Sequence, residues 1–272
     1  MVTFLLTACG AAPPEPKPLC AGTAGAHPRV ALEARAPVER LGRGLALLFD
    51  NGGPYVFVDA GCTFWVSNPA QVWDETRSGE LDEETALRLG MTLHVDAWPR
   101  LGATWTDPGG RVFDAPTLVF DDAEHAVVCV DFCDAPGVPK EVKEMRDAMA
   151  GVAQELWDAG SPTDSSLRAL AIPTERFQGV PFVAWPLGRP ISDFVRAGDV
   201  GFGEGTLEED AASVKALKEL RASFLRGDHG AFVWNMLPVE SGGAYYQLYM
   251  RDTLPFEDAR GLVPLTIDLD GT

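Results

Sequence analysis

Short apolar runs separated by turn sequences are the feature that most constrains how this chain can fold. The runs are bounded by segments rich in Gly, Pro, Asn and Asp, such as residues 50–54 and 59–61. This punctuation is typical of consecutive antiparallel strands. The clearest predicted strands are at 44–49, 55–58, 63–66, 103–105, 111–113, 117–120 and 125–130, followed by a buried strand at 181–185 and a hairpin of 230–236 with 244–250.

Helical periodicity is confined to a few segments. The strongest helical pattern runs from Pro139 to Asp158, and Gly160 is expected to end the helix. Its apolar stripe lies at positions 142, 145, 149, 152 and 156. A second helix is predicted from Leu207 to about Arg226, with Thr206 and Glu209 forming a capping box. A third is predicted to open at 78–85 and reach about Leu93. We therefore predict an α+β fold in which two or three amphipathic helices pack on a mainly antiparallel sheet.

Charge excludes one class of function. The chain has 40 acidic residues against 22 Lys and Arg, which gives a formal net charge of −18. Nucleic-acid binding needs a basic surface that neutralises phosphates, so a nucleic-acid partner is not expected. The sequence also lacks a catalytic signature or cofactor motif in a suitable context, and no cofactor is expected.

The N-terminal residues carry a motif with a defined position. Leu6, Thr7, Ala8 and Cys9 follow an apolar run, and the next residues are rich in Pro, Ala and Gly. The tetrapeptide resembles the lipobox of bacterial lipoproteins. That resemblance implies diacylglycerol on Cys9, cleavage before Cys9 and acylation of its amino group. Because Gly10 is not the aspartate that retains such proteins in the inner membrane, the resemblance also implies the outer membrane.

The same resemblance sets the predicted domain organisation. Residues 1–8 would be the remnant of a signal peptide, residues 9–28 a flexible tether, and residues 29–272 the globular body, with a division into halves near 134–139. A complete signal peptide needs a basic start and an apolar core of about 7–15 residues. We therefore expect the true start of translation to lie upstream of Met1.

Four further cysteines remain once Cys9 is assigned to the lipid. In an oxidising compartment, Cys20, Cys62, Cys129 and Cys133 predict two disulfides with three possible connectivities. Cys129 and Cys133 would be too far apart to bond each other if residues 127–133 continue a strand into a loop. Cys62 is then a plausible partner for one of them, and Cys20 would fasten the tether to the body.

Three functions remain open. The first is an envelope lipoprotein, facing the periplasm or the cell surface, whose acidic body binds an envelope protein or a cell-wall component without catalysis. The second is a hydrolase with carboxylates drawn from Asp121, Asp122 and Asp131. The third is zinc or copper binding through Cys62, His125, Cys129 and Cys133, since the last three would share one face of a helix.

Overall fold

The computed structural model describes residues 16–20, 28–35, 55–68, 75–101, 104–105, 117–121, 125–129, 133, 137–164, 167–176, 179–193, 196–197, 203–207, 211–227 and 237–254. The predicted strands at 44–49, 111–113 and 230–236 lie outside these residues, as does Cys9. The described elements confirm the α+β fold, with mainly antiparallel sheets and helices packed on them.

The first sheet is formed by the N-terminal part of the chain. Its strands are β1 (Pro28–Arg35), β2 (Tyr55–Asp59), β3 (Thr63–Ser67), β4 (Thr76–Glu80), β5 (Thr104–Trp105), β6 (Thr117–Asp121), β7 (Ala126–Cys129) and β8 (Ser161–Pro162). They lie in the order β5-β7-β6-β1-β2-β3-β4-β8. Among the described pairs of this sheet, β5 with β7 is the parallel one.

The turn between β2 and β3 is fixed by an aspartate. The carboxylate of Asp59 accepts a hydrogen bond from the backbone N–H of Thr63 at 2.8 Å, and its carbonyl accepts one from Cys62 at 3.2 Å. Asn and Asp favour such reversals because their side chains accept hydrogen bonds from nearby backbone N–H groups. Gly favours them because it adopts positive φ angles without steric cost. Cys62 lies in this turn and adopts a left-handed φ of 70°.

Helices α1 (Glu83–Thr92), α2 (Trp98–Leu101) and α3 (Lys140–Ala159) belong to the same half of the molecule. α3 confirms the strongest helix prediction. Its predicted apolar stripe is buried and packs into the core of the first sheet, as Val142, Met145, Met149, Val152 and Leu156. α1 starts later than predicted, because residues 76–80 pair with β3 as strand β4. No helix in the described part of the chain is both long and apolar enough to cross a bilayer.

Asp82 determines where α1 begins. It is the N-cap, and its carboxylate accepts a hydrogen bond from the backbone N–H of Thr85 at 2.7 Å. That hydrogen bond, a second one from the Thr85 side chain and the charge of Arg88 lower the pKa of Asp82 below its ordinary value. The folded state therefore favours the ionised carboxylate.

The Asp82 cap predicts a pH dependence of stability. A carboxylate with a lowered pKa in the folded state contributes stability above its unfolded pKa, and loses that contribution as pH falls through the folded pKa. Asp82→Ala is therefore expected to destabilise the protein at neutral pH by more than it does at acidic pH below the lowered pKa of Asp82. Urea unfolding of both proteins across this range measures the difference. A difference that stays constant with pH would contradict the assignment, and Asp82→Asn is the uncharged control.

The second sheet is formed by the C-terminal part of the chain. Its strands are β9 (Leu167–Thr174), β10 (Val183–Ala184), β11 (Arg196–Ala197), β12 (Gly203–Leu207), β13 (Leu237–Ser241) and β14 (Ala244–Asp252). Their order is β10-β13-β14-β9-β12-β11. Gly242 and Gly243 join β13 to β14 with positive φ angles of 60° and 79°, as a tight hairpin turn requires. The strand predicted at 244–250 is thus confirmed, and its partner is 237–241.

Helix α4 (Ala211–Leu225) covers one face of this sheet and buries Leu217, Leu220 and Phe224. The predicted start at Leu207 is wrong. Thr206 and Leu207 pair with Arg168 and Leu167 of β9. The residues predicted to begin the helix therefore form the end of strand β12. The strand predicted at 181–185 is reduced to β10 at the sheet edge, where Ala184 is exposed.

The division between the two halves also differs from the prediction. The first core contains residues from Leu19 to Leu156, and the second contains residues from Leu167 to Met250. The cores therefore separate between α3 and β9 and not near 134–139. The Pro-rich segment precedes α3 with Pro139 as its N-cap, and α3 packs on the first sheet.

A buried charged cluster joins the two halves. Asp252, at the end of β14, is 1% exposed and accepts a hydrogen bond from the backbone N–H of Thr76 in β4 at 2.8 Å. Its other oxygen lies 3.1 Å from Arg221 Nη2 and 3.5 Å from Lys218 Nζ, both on α4. Lys218 also donates to the carbonyl of Thr163 at 2.8 Å. We call these residues the junction cluster.

Both sheets end in very short strands. The terminal strands β5 and β8 of the first sheet and β10 and β11 of the second each have two residues. Among the described residues, each of these terminal strands therefore presents only a short row of unpaired backbone groups.

Candidate functional site

The best-defined candidate site is the place where the N-terminal segment joins the body. We call residues 16–20 the docking segment. The backbone N–H of Leu19 donates to the carbonyl of Ala86 in α1 at 3.0 Å. Leu19 is 4% exposed and Cys20 is 8% exposed, and both belong to the first core. This part of the predicted tether, residues 9–28, is therefore packed against the body.

Gly90 allows the docking segment to lie directly on α1. A Cβ at position 90 would overlap the carbonyl oxygen of Lys17 and would lie 3.0 Å from the Cα of Pro18 and 3.1 Å from the nitrogen of Leu19. The absence of a side chain thus lets one backbone approach another.

A disulfide fixes the docking segment to the β2–β3 hairpin. Cys20 bonds Cys62 across a sequence separation of 42 residues, with the two Cα atoms 5.3 Å apart. The prediction that Cys20 fastens the N-terminal segment to the body is confirmed. The suggestion that Cys62 pairs with Cys129 or Cys133 is wrong.

Two glycine substitutions test the docking contact. Gly90→Ala is expected to lower the free energy of unfolding by about 1–3 kcal/mol, because the new methyl group overpacks against the docking segment. Gly151→Ala is the matched control, since Gly151 lies in the exposed face of α3 with nothing within 4 Å of its Cβ position. It should stabilise by about 0.5–1 kcal/mol through helix propensity alone. Denaturant unfolding measures both, and stabilisation by Gly90→Ala would contradict the contact.

The second disulfide corrects a prediction. Cys129 bonds Cys133, and their Cα atoms are 5.1 Å apart, whereas four extended residues would span about 13 Å. Strand β7 ends at Cys129, and the short Cα separation means that the chain from Cys129 to Cys133 is not fully extended. The prediction that these two residues lie too far apart is therefore wrong, because the extended conformation does not continue to residue 133.

The disulfides remove the thiolates on which the metal hypothesis depends. Cys62 belongs to one disulfide, and Cys129 and Cys133 form the other. His125 immediately precedes β7, so it shares no helical face with Cys129. Within the described ranges, no group of three or more His, Cys, Asp or Glu side chains is arranged to hold a metal ion.

The predicted carboxylates are not brought together in the described residues. Asp121 ends β6 opposite Ala126, and Asp122 and Asp131 lie outside the described residues. The buried carboxylate that sequence reasoning missed is Asp252. Its partners Thr76 and Arg221 are 176 and 31 residues away, so no local pattern indicates it. Both of its oxygens are engaged, which favours a structural role.

A second group of charges lies at the start of α3. His94, which has a left-handed φ of 49°, places Nε2 3.1 Å from Glu144, and Lys140 lies 2.9 Å from the other oxygen of Glu144. The hydrogen bond from Lys140, aided by the charges of Lys140 and His94, lowers the pKa of Glu144. These side chains are solvent-accessible, so we interpret the group as surface pairing.

An aromatic cluster lies at the second sheet. The rings of Phe182 and Tyr245 meet edge to face at 4.9 Å, and the Arg176 guanidinium lies 5.8 Å from the centre of the Tyr245 ring. Phe182 and Tyr245 are half-buried, whereas Trp98 is fully buried and donates to the carbonyl of Leu93. Half-exposed aromatic rings beside an arginine are suited to recognition.

The chain has no significant match among protein families, curated proteins or solved structures.

Proposed function

We propose that the protein is an envelope lipoprotein, anchored through a lipid on Cys9 and carrying its α+β body outside the cytoplasm. The observation that supports this most is the Cys20–Cys62 disulfide on the docking segment. Disulfides persist in oxidising compartments and are rare in the cytosol. This one also lies eleven positions after Cys9 and fastens the segment that would connect the anchor to the body.

Intact-mass analysis of the protein extracted from cell membranes, under non-reducing conditions, tests the proposal. We expect a chain that begins at Cys9 with attached acyl chains, and with Cys20, Cys62, Cys129 and Cys133 resistant to alkylation until they are reduced. Cys9→Ser is the matched control and should abolish the acyl mass without affecting the disulfides. A wild-type protein with an unmodified N-terminus would contradict the proposal.

The outer membrane is the proposed location within the envelope. It rests on Gly10, which follows the acylated cysteine in place of the aspartate that the lipoprotein resemblance associates with retention. Density-gradient fractionation of membranes should place the wild type with outer-membrane markers and Gly10→Asp with inner-membrane markers. Identical distributions of the two would argue against this location.

For the body, we propose binding to a cell-wall component or an envelope protein. The supporting observation is the half-exposed cluster of Phe182, Tyr245 and Arg176, because stacking and cation–π contacts suit both classes of partner. Sedimentation with purified peptidoglycan should retain the wild type and lose most of the Tyr245→Ala variant. Retention of both forms to the same extent would exclude this cluster as the wall-binding surface.

A further inference from the structure

The outer side of α1 carries an apolar stripe that the core does not use. Leu87 is 39% exposed and Met91 is 54% exposed, and they are the exposed large hydrophobic residues of the described chain. They are four positions apart on α1, so they lie one above the other on the same side of the helix.

The stripe lies beside the docking segment. Successive residues of a helix are turned by about 100°, which places Leu87 and Met91 next to the side that carries Ala86 and Gly90. Ala86 accepts the hydrogen bond from Leu19, and Gly90 is covered by the backbone of Lys17. The docking segment therefore runs along the flank of this stripe.

The distance from the stripe to a lipid on Cys9 is short. Lys17 lies eight positions after Cys9, and a chain of that length can span at most about 28 Å when fully extended. Residues 13, 14 and 16 in this stretch are prolines, and a Pro-rich chain rises only about 3.1 Å per residue, so the expected span is below this limit. The Cys20–Cys62 disulfide limits the additional length that could be released to the three positions from Lys17 to Cys20, which is about 10 Å.

We infer that the side of α1 bearing Leu87 and Met91 lies against the headgroup region of the membrane in which Cys9 is anchored. This inference rests on the proposed lipidation of Cys9. Two side chains do not hold a protein to a bilayer, but the acyl chains supply that affinity, and the short connection keeps the stripe at a high effective concentration near the surface. The stripe then sets which way the body faces.

The charges around the stripe limit how deep it reaches. Glu84 lies on the same side of the helix, and Arg88 pairs with Glu155 of α3 at its border. Charged heads of this kind stay in water, so Leu87 and Met91 would contact headgroups and the upper acyl region only.

Oxidation of Met91 tests the inference. Lipidated protein in phosphatidylethanolamine vesicles with a minor fraction of phosphatidylglycerol is treated with hydrogen peroxide, and sulfoxide formation is followed by peptide mass spectrometry. The reference is Cys9→Ser protein mixed with the same vesicles. Met91 should be oxidised several-fold more slowly in the lipidated protein. Met145 and Met149, which are 0% and 3% exposed, serve as internal references that stay slow in both samples.

A variant with a longer tether tests whether protection of Met91 from oxidation depends on the short connection to the lipid. Inserting about 20 Gly and Ser residues between Cys9 and Pro16 leaves the body unchanged but frees it from the surface, and should restore fast oxidation of Met91. Equal oxidation rates in the lipidated and Cys9→Ser proteins would overturn the inference while leaving lipidation intact. Protection that disappears when the protein is diluted within the vesicles would indicate a second copy on the stripe and would also overturn it. Absence of acyl mass on Cys9 would instead refute the proposed function.

Discussion

Asp252→Ala should lower the free energy of unfolding by about 3–5 kcal/mol, because it removes the carboxylate that faces the buried guanidinium of Arg221. Arg221 is only 4% exposed and has its guanidinium 3.1 Å from the Asp252 carboxylate. The substitution also removes the acceptor for the backbone N–H of Thr76. Denaturant unfolding, followed by tryptophan fluorescence and by circular dichroism, measures the loss.

The junction cluster connects the two cores, so the shape of the transition is informative as well. If Asp252 couples the halves, the two probes should coincide in the wild type and separate in Asp252→Ala. Asp158→Ala is the control, since Asp158 is exposed on α3 and its removal should change stability by no more than about 0.5 kcal/mol. A change below about 1 kcal/mol in Asp252→Ala would show that the cluster does not contribute as its burial indicates.

The two disulfides should differ in how much they stabilise the protein. Cross-linking residues 42 positions apart restricts the unfolded chain by about 4 kcal/mol, whereas a separation of four positions gives about 2 kcal/mol. Cys20–Cys62 is therefore expected to be the stronger of the two. It is also the one that holds the docking segment in place.

Two single-disulfide variants allow this comparison. One carries Cys129→Ala with Cys133→Ala and retains Cys20–Cys62, and the other carries Cys20→Ala with Cys62→Ala. Measuring unfolding of each variant in its oxidised and reduced forms isolates the cross-link from the loss of sulfur packing. Equal differences for the two variants would mean that loop length does not govern the effect.

Elements defined by local patterns were predictable from the sequence. α3 is the clearest example, because its apolar spacing and Pro139 and Gly160 at its ends all act within a few residues of the helix itself. The β2–β3 hairpin is another, since Asp59 and the residues after it satisfy the turn among themselves.

Elements stabilised by distant partners were not predictable in the same way. β9 has eight residues and lies between β12 and β14, yet its sequence shows no strict alternation and contains Pro173. Its strand conformation depends on neighbours far along the chain. The start of α4 was misplaced for the same reason. Thr206 and Leu207 belong to β12, because they pair with β9.

The candidate site shows a similar division. The role of Cys20 in fastening the N-terminal segment followed from its position and from the even number of cysteines. The surface of α1 that the docking segment contacts could not be predicted. In the sequence, Gly90 is only a poor helix former, and its contact with the backbone of Lys17 is seen only in the structure. The Cys129–Cys133 bond requires the two Cα atoms to lie 5.1 Å apart, which the strand-like residues before Cys129 do not indicate.

The two-residue strands at the sheet edges bear on how readily the folded protein aggregates. Amyloid growth and strand exchange both begin when an incoming chain pairs with a long unprotected edge. Strands β8 and β10, whose flanking residues are described, offer few backbone groups to template such growth. We therefore expect β8 and β10 to favour aggregation from unfolded chains over growth from the folded edge, so agents that slow unfolding should suppress it.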